Sequence, residues 1–207
     1  MAGRFITLEG IEGVGKTSNI AYIQCLLKDK NIPVLLTREP GGTALAENIR
    51  QLLLDKDQES IAEQTELLMM FAARAQHIKH VIYPTLEQGI WVICDRFTDA
   101  TYAYQGGGRN MALSAIQWLE NFVQADLRPD LTLLLDAPVH LGMQRVVQRG
   151  KLDRFESEKV AFFEKVRQAY LTIAKQQPER VKIIDATQSL GNVQYQISNI
   201  LSPFIHE

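Results

Sequence analysis

The chain has 207 residues, of which 46% are hydrophobic and 22% charged, and its formal net charge is −2 at pH 7. This composition is typical of a globular protein and predicts a single domain over residues 1–207 with a substantial buried core. A net charge so near zero argues against a general binder of nucleic acid or of membrane surfaces, although it is compatible with a local basic pocket.

The sequence also indicates the cellular compartment of the protein. No window reaches the roughly 18 apolar residues of a membrane helix, and the N-terminus lacks the apolar stretch of a signal peptide. The two cysteines, Cys25 and Cys94, lie far apart without metal-ligand spacing, which suits a reducing compartment. We therefore expect a cytoplasmic protein that has no contact with membranes.

Five short runs of mainly apolar residues predict buried strands. Most are continuously apolar, as expected for a parallel sheet covered on both faces, whereas the last contains a lysine and could lie nearer an edge. In chain order the predicted strands are Phe5–Leu8, Val34–Thr37, Trp91–Cys94, Leu131–Leu135 and Val181–Ile184.

Helical patterns lie between these strands. The longest is expected to begin at a capping box formed by Ser60 and Glu63. The predicted helices cover Thr17–Lys30, Thr43–Leu54, Ile61–Gln88, Ala112–Ala125, Leu141–Gln148, Lys159–Gln176 and Val193–Leu201. Alternating strands and helices predict an α/β three-layer fold in which a five-stranded parallel sheet is flanked by helices.

Charged residues follow four of the predicted strands. They are Glu9, the pair Arg38 and Glu39, the pair Asp95 and Arg96, and Asp136. Because ligands of such folds bind beyond the carboxyl ends of the strands, we expect these side chains to line one common edge.

The first strand runs into a glycine-rich loop, GIEGVGKT, that matches the P-loop pattern. Its glycines let backbone N–H groups point at phosphate oxygens, Lys16 is expected to reach the β- and γ-phosphates, and Thr17 to ligate Mg²⁺. The predicted ATP-binding residues of this loop are Gly10, Ile11, Glu12, Gly13, Val14, Gly15, Lys16 and Thr17. No Asn-Lys-x-Asp motif of a GTPase is present, so the pattern suggests a kinase that acts on a small acceptor.

Two further stretches suggest an acceptor pocket. In TREPGGT, residues 37–43, a strand ends in Arg38 and Glu39, and Arg50 follows on the next helix; the alternative is a plain charged turn. Phe71 and Arg74 are three residues apart on a predicted helix, so they share a face that could clasp a flat base. The alternative for this pair is a core phenylalanine and a surface arginine.

Two later stretches are also rich in polar groups. Residues 94–109, CDRFTDATYAYQGGGR, contain many polar and charged side chains directly after a buried strand. A purely structural role hardly explains so many of them. Residues 149–156, RGKLDRFE, put Arg149, Lys151 and Arg154 in a glycine-containing connection between helices. This connection is either a solvated loop or a lid, over about residues 145–157, that closes its cations over phosphates.

Taken in order and spacing, these five stretches resemble the thymidylate kinase family in its bacterial form, a branch of the P-loop nucleoside monophosphate kinases. The resemblance covers essentially the whole chain. It implies transfer of the γ-phosphoryl group of ATP to dTMP, giving dTDP and ADP, with Mg²⁺ as cofactor. It also implies a homodimer, a P-loop fold with a basic lid, and small-molecule partners only.

The resemblance further assigns roles to single residues. Arg74 is expected to bind a thymine carbonyl, Tyr104 to lie against the deoxyribose, and Arg96 to bind the phosphate of dTMP. The aromatic stacking partner of the family falls at Met70, so either Met70 or Phe71 packs on the base. The implied dTMP-binding residues are Glu12, Arg38, Glu39, Arg50, Met70, Phe71, Arg74, Arg96, Thr101, Tyr104 and Gln105.

The implied catalytic residues are Lys16, Glu12, Asp95, Arg96, Arg154 and Arg149, with Thr17 and Asp95 at the metal. Because the P-loop lacks an arginine, the cations of the lid are expected to serve instead, Arg154 before Arg149. Glu12 would then point towards the acceptor rather than towards ATP. Ala186, after the last strand, resembles the residue beneath adenine.

Two matters stay open on the sequence alone. His77 and His80 have His-x-x-His spacing in the long helix, and a surface or interface role is favoured over metal binding. Another nucleoside monophosphate kinase, or a switch protein that hydrolyses ATP slowly, remains an alternative. The several arginine-bearing strand ends favour a kinase, since a switch needs no second anion pocket.

Overall fold

The computed structural model describes residues 3–57, 59–149 and 153–206. Within them a five-stranded parallel sheet has the order β2-β3-β1-β4-β5, which confirms the predicted sheet. The strands are β1 (Phe5–Glu9), β2 (Val34–Arg38), β3 (Trp91–Asp95), β4 (Leu131–Asp136) and β5 (Val181–Asp185). The lysine-containing strand, β5, lies at an edge, as expected.

The burial of each strand follows its place in the sheet. In the centre, Ile6 of β1 is paired with Ile93 of β3 and with Leu131 of β4, and all three side chains are fully buried. The edge strand β5 instead mixes buried and exposed positions, and its Ile183 is exposed. The other edge strand, β2, is mainly apolar but only half-buried, as expected for a strand with a single neighbour.

Nine α-helices surround the sheet in the described residues: α1 (Lys16–Asp29), α2 (Ala44–Leu54), α3 (Glu63–His77), α4 (Tyr83–Glu87), α5 (Thr98–Thr101), α6 (Leu113–Gln124), α7 (Val139–Arg149), α8 (Val160–Gln176) and α9 (Leu190–His206). Two π-helical turns, Ile78–Ile82 and Tyr102–Gly108, join α3 to α4 and extend α5. No helix of these described residues is long and apolar enough to cross a membrane.

The long helix predicted for residues 61–88 is corrected in two ways. It begins at Glu63 with Ala62 as its N-cap, and no side chain caps it, so the predicted capping box of Ser60 and Glu63 is wrong. Ser60 lies two residues before the N-cap, which is the position from which a side chain caps a helix. Glu63 and Glu66 instead place negative charge in the first turn, where the helix dipole favours it. The π-helical turn then divides the helix before α4.

The segment 98–108 is helical although the sequence predicted no element there. Its three glycines oppose a helix by intrinsic propensity. The structure gives the reason for them, because a side chain at Gly107 would collide with Ala169, and one at Gly108 with the ring of Phe162. Close packing against α8 therefore outweighs local propensity.

Every strand of the sheet ends on a charged residue, and these ends lie along one edge. The residues are Glu9, Arg38, Asp95, Asp136 and Asp185. Because all strands are parallel, their carboxyl ends meet on the same side of the molecule. The predicted common edge is thus confirmed, and it carries the site described next.

Candidate active site

A cavity of about 540 Å³ opens at the carboxyl edge of the sheet. The loop after β1, the segment after β2, helix α3 and the segment after β3 all contribute to its wall. Among the residues predicted for the site it is lined by Glu12, Gly13, Gly15, Lys16, Thr17, Arg38, Glu39, Arg50, Met70, Arg74, Asp95, Arg96, Thr101, Tyr104 and Gln105. Residues that are distant in sequence are thus brought into one space.

The P-loop wraps around the N-terminus of α1. Gly13 has a φ of 73°, and a side chain there would collide with the backbone of Gly142 in α7. The Lys16 amine donates to the carbonyl oxygens of Gly10 and Ile11, at 3.1 and 3.0 Å. Burial, helped by the nearby Arg96 guanidinium, lowers the pKa of Lys16 to about 8. Lys16 is therefore still mostly an ammonium at neutral pH, and an anion bound beside it would raise its pKa again.

Glu12 belongs to a three-residue cluster with Tyr104 and Arg96. The Tyr104 hydroxyl lies 2.7 and 2.8 Å from its two carboxylate oxygens, and Arg96 donates to it at 2.9 Å. Arg96 also donates to the carbonyl of Gly10 at 2.6 Å and lies over the Tyr104 ring. Burial raises the pKa of Tyr104 well above its usual range, so the phenol keeps its proton and acts as a donor.

The opposite end of the cavity is built around Arg74, which is only 2% exposed. Its Nε donates to Glu39 at 2.7 Å and its Nη2 donates to Thr101 at 3.0 Å. Its Nη1 is buried without a hydrogen-bond partner in the described structure. A buried donor without a partner is costly, so this N–H is the natural place for a ligand carbonyl.

Two arginines at the rim are partly engaged with protein groups. Arg38 donates to Glu47 at 2.9 Å and stays largely exposed. Arg50 donates to the carbonyl of Pro40 at 2.8 Å, following a cis peptide between Glu39 and Pro40. Burial, with the nearby charge of Arg38, lowers the pKa of Arg50. Both guanidinium groups line the cavity and can turn towards an anion there.

The residues expected at a metal also lie in this wall. Oδ1 of Asp95 is buried without a hydrogen-bond partner in the described structure, and Thr17 lines the same cavity. A free carboxylate oxygen beside a P-loop hydroxyl fits Mg²⁺, which takes one or two protein oxygens and completes its shell with phosphates and water. No group of three or more acidic, histidine or cysteine side chains in the described residues forms a dedicated metal cage.

Several predicted site residues lie outside the wall of the cavity. Phe71 is buried in the core and packs beneath Arg74, with the guanidinium 4.7 Å from its ring centre, whereas Met70 lines the cavity. Gly10, Ile11 and Val14 are buried within the P-loop turn, and Ala186 is buried after β5, where its N–H donates to Asp136.

Arg154, a lid cation expected near the phosphates, is hydrogen-bonded to protein groups instead. Arg154 donates to Glu66 at 2.7 Å and to the carbonyl of Leu53 at 2.7 Å, so its guanidinium faces helices α2 and α3. The described residues of the predicted lid range that line the cavity are Arg145, Val146, Asp153, Phe155 and Glu156. Lys151 and the side chain of Arg149 lie outside the described part of the structure.

Sequence reasoning missed three features of the site. Arg145 of α7 lines the cavity and donates to the carbonyl of Gly13 at 3.2 Å. Glu66 is buried and accepts hydrogen bonds from Gln105 and Arg154, with Arg109 at 3.4 Å. Arg145 falls in the predicted lid range, whereas no local pattern marks Glu66.

The third feature is His77, for which a surface or interface role was favoured. That preference is wrong, because its side chain is 0% exposed. It lies between Thr37 and Glu39 and is hydrogen-bonded to both. His80, by contrast, is exposed.

The fold and the cavity define the class of the protein first. A parallel sheet with a glycine-rich loop at its carboxyl edge, leading into a helix N-terminus that carries a half-buried lysine, is the arrangement of a P-loop nucleotide-binding protein. A family model described as thymidylate kinase matches residues 8–197. The chain therefore belongs to the thymidylate kinase family.

Individual relatives agree with this assignment. The thymidylate kinase of Pseudomonas entomophila (strain L48) is 58% identical over 201 residues, which cover 97% of this chain and 96% of that protein. The thymidylate kinase of Ectopseudomonas mendocina (strain ymp) is 57% identical over the same shares of both chains. The crystal structure of thymidylate kinase from Ehrlichia chaffeensis superposes with a TM-score of 0.80 at 32% identity, covering 97% of this chain and 100% of that one.

Proposed function

We propose that this chain is a dTMP kinase, which transfers the γ-phosphoryl group of ATP to dTMP and forms dTDP and ADP in the supply of dTTP. Membership of the thymidylate kinase family supports this activity. The observation that carries the acceptor assignment is the unpaired, buried Nη1 of Arg74, in the same cavity as the P-loop. One cavity thus offers a loop for the phosphates of ATP and a buried N–H donor for the base of dTMP. This arrangement suits two nucleotides that bind side by side for phosphoryl transfer.

In this proposal ATP binds at the P-loop end and dTMP at the Arg74 end. The ATP residues are Gly10 to Thr17, with Ala186 beneath the adenine. The dTMP residues are Glu12, Arg38, Glu39, Arg50, Met70, Phe71, Arg74, Arg96, Thr101, Tyr104 and Gln105. Met70 is favoured as the side chain that packs on the base, because it lines the cavity while Phe71 supports Arg74 from the core.

The chemistry needs charge neutralisation rather than a general base. ATP and dTMP together carry roughly six negative charges, and a phosphate monoester with a second pKa near 6 is already largely deprotonated at neutral pH. Lys16 would stabilise charge on the transferring phosphoryl group, while Arg96 holds the dTMP phosphate in line with it. Glu12, which accepts hydrogen bonds from Arg96 and Tyr104, would hold these two side chains in fixed positions relative to each other.

Mg²⁺ is the proposed cofactor, held by Thr17 and by Asp95 either directly or through water. Bound there, it would neutralise charge on the phosphates of ATP. Asp95 supplies a buried oxygen without a partner in the described structure.

The lid, over about residues 145–157, is proposed to bring Arg154, with Arg149 next, towards the phosphoryl group. Arg154 would have to exchange its contact with Glu66 for a contact with phosphate. An arginine aimed at the transferring group accelerates related reactions by about 10³–10⁵. Arg145, which already touches the P-loop, is a further cation on the same side.

We further propose that residues 1–207 act as one domain, in a cytoplasmic homodimer. Both cysteines are free thiols, which suits a reducing compartment. On α6, Trp118 and Phe122 stack with their ring centres 5.4 Å apart and are 64% and 74% exposed. Two stacked aromatic side chains that are exposed to solvent are typical of the core of an interface between two copies of a chain.

The test is an ADP-release assay with ATP and Mg²⁺ that compares dTMP, dUMP, dCMP, dGMP, AMP and UMP as acceptors. We expect strong preference for dTMP. Preference for another monophosphate would contradict the base assignment while leaving the phosphate chemistry intact. ADP release that is independent of any acceptor would contradict the kinase and support a slowly hydrolysing switch. Arg74→Gln is expected to raise KM for dTMP but not KM for ATP.

A further inference from the structure

His77 is a buried histidine that the chemistry described above does not use. It is the last residue of α3, directly before the π-helical turn Ile78–Ile82. Its Nδ1 lies 2.9 Å from Oε1 of Glu39, and its Nε2 lies 2.7 Å from the hydroxyl of Thr37. The ring therefore bridges α3 to the end of β2 and to the residue that follows it.

The contact with Glu39 continues into the cavity. The second oxygen of that carboxylate accepts from Nε of Arg74 at 2.7 Å. The same guanidinium donates from Nη2 to Thr101, and its Nη1 is buried without a partner in the described structure. A continuous series of hydrogen bonds thus runs from the hydroxyl of Thr37 through His77 and Glu39 to the donor proposed for the base.

We infer that His77 is a positioning residue for dTMP, which holds Glu39 and through it aims Arg74 at the base. The inference rests on the proposed role of Arg74 in the recognition of thymine. His77 itself lines no part of the cavity in the described structure, so it acts only through its two neighbours.

The geometry explains why a histidine suits this place. A carboxylate accepts only, so Nδ1 of His77 must carry the proton and donate to Glu39. In the neutral ring Nε2 is then an acceptor, which the Thr37 hydroxyl satisfies. The turn of residues 37–43 closes over the ring, because a side chain at Gly42 would collide with the imidazole. The imidazole is therefore enclosed, with its Nδ1 directed at Glu39 and its Nε2 at Thr37.

The loss of this donor should act on Arg74 directly. Without His77, Oε1 of Glu39 would be buried with no donor, which is costly for a carboxylate. The next donor on the guanidinium that Glu39 already holds is Nη2, which lies on the same side as Nε and now donates to Thr101. The carboxylate would take Nε and Nη2 in a two-point contact, and the guanidinium would turn so that Nη1 is no longer aimed at the base.

The test compares three substitutions at the same position. His77→Leu removes both hydrogen bonds, and we expect it to raise KM for dTMP about tenfold while KM for ATP and kcat stay unchanged. His77→Asn places an amide donor near the position of Nδ1 and should restore most of the affinity for dTMP. His77→Gln places its amide near the position of Nε2 and should behave like His77→Leu.

His80→Leu is the matched control, because it removes an exposed histidine three residues further along the same helical run. It should leave both KM values unchanged. If His77→Leu does not yield folded protein, Thr37→Val keeps the ring but removes its second partner, and it should raise KM for dTMP by a smaller factor. A fall in melting temperature with an unchanged KM for dTMP would show a structural role alone and overturn the inference.

Arg74→Gln separates this inference from the proposed function. If Arg74→Gln leaves KM for dTMP unchanged, the base assignment itself is wrong. If Arg74→Gln raises KM but His77→Leu does not, the base assignment stands and the positioning role is wrong. In the double variant the effect of His77→Leu should vanish, because there is no longer a guanidinium to aim.

Discussion

The hydroxyl of Tyr104 lies within 2.8 Å of both carboxylate oxygens of Glu12, the only acid in the glycine-rich loop of residues 10–17. Arg96 completes the arrangement at 2.9 Å. The loop therefore tolerates a negative charge, because Arg96 supplies the opposite charge and Tyr104 a hydrogen bond. Glu12 thereby links the phosphate loop to the proposed sugar pocket.

The first prediction concerns this link. Tyr104→Phe removes the hydroxyl but keeps the ring in the proposed sugar pocket. The carboxylate of Glu12 then loses one hydrogen-bond donor and becomes more mobile. We expect kcat/KM for dTMP to fall about tenfold with KM for ATP unchanged, measured by steady-state kinetics. Tyr102→Phe is the control, since that hydroxyl donates to Glu120 and the residue does not line the described cavity. Equal kinetics of Tyr104→Phe and wild type would contradict the link.

The second prediction concerns protons. Lys16 has its pKa lowered from 10.5 to about 8, chiefly by burial. Bound phosphates favour the ammonium form, so ATP binding at about pH 8.5 should take up a fraction of a proton. Calorimetry in two buffers of different ionisation enthalpy measures this uptake. Lys16→Met should abolish it, and a binding enthalpy of wild type that is independent of buffer would contradict the prediction.

The third prediction concerns stability and pH. Burial, followed by the charge of Asp99, raises the pKa of Glu9 from 4.5 to about 8, although Phe97 N–H and the Tyr170 hydroxyl both donate to it. A raised folded pKa means that stability is full below about pH 4.5 and is lost as pH rises through about 8.

Glu9→Gln cannot ionise, so it should escape that loss. We expect the melting temperature of wild type to fall relative to Glu9→Gln between about pH 5 and pH 9, measured by calorimetry across this range. Comparing the two proteins at each pH cancels the opposite trend expected from Lys16. Parallel profiles would show that Glu9 does not titrate in this window.

The fourth prediction concerns Glu66, which is buried and accepts from Gln105 and Arg154. Glu66→Gln removes the charge that pairs with Arg154, while Arg109 keeps its ion pair with Glu158, and should lower the free energy of unfolding by about 3 kcal/mol, measured in urea. Glu47→Gln breaks an ion pair whose side chains are 36% and 54% exposed, and should cost under about 1 kcal/mol. Equal losses in the two variants would contradict the role of burial.

The fifth prediction concerns assembly. If the stacked pair on α6 forms the core of the dimer, Phe122→Glu places a charge there and should yield a monomer in sedimentation experiments. Tyr195→Glu is the control, because that aromatic is 68% exposed on α9. A dimer that survives Phe122→Glu would place the interface elsewhere.

Short-range patterns predicted much of the fold. The five strands, the α/β class and the edge position of β5 follow from runs of apolar residues, and such runs report burial directly. The P-loop follows from a motif of eight contiguous residues, 10–17, so it can be recognised from near neighbours alone. The helix at 98–108 was missed because the packing of its glycines against α8 is decided elsewhere in the chain.

The sequence by itself determined the fold class, the phosphate loop and the strand ends that carry charge, because each depends on residues adjacent in the chain. Only the tertiary structure decided which partner each charged side chain takes. It placed Met70 rather than Phe71 in the cavity wall, turned Arg154 to Glu66, and buried His77 against Glu39. Burial and hydrogen bonding between residues that are 35 to 88 positions apart decide these contacts, and no local pattern records them.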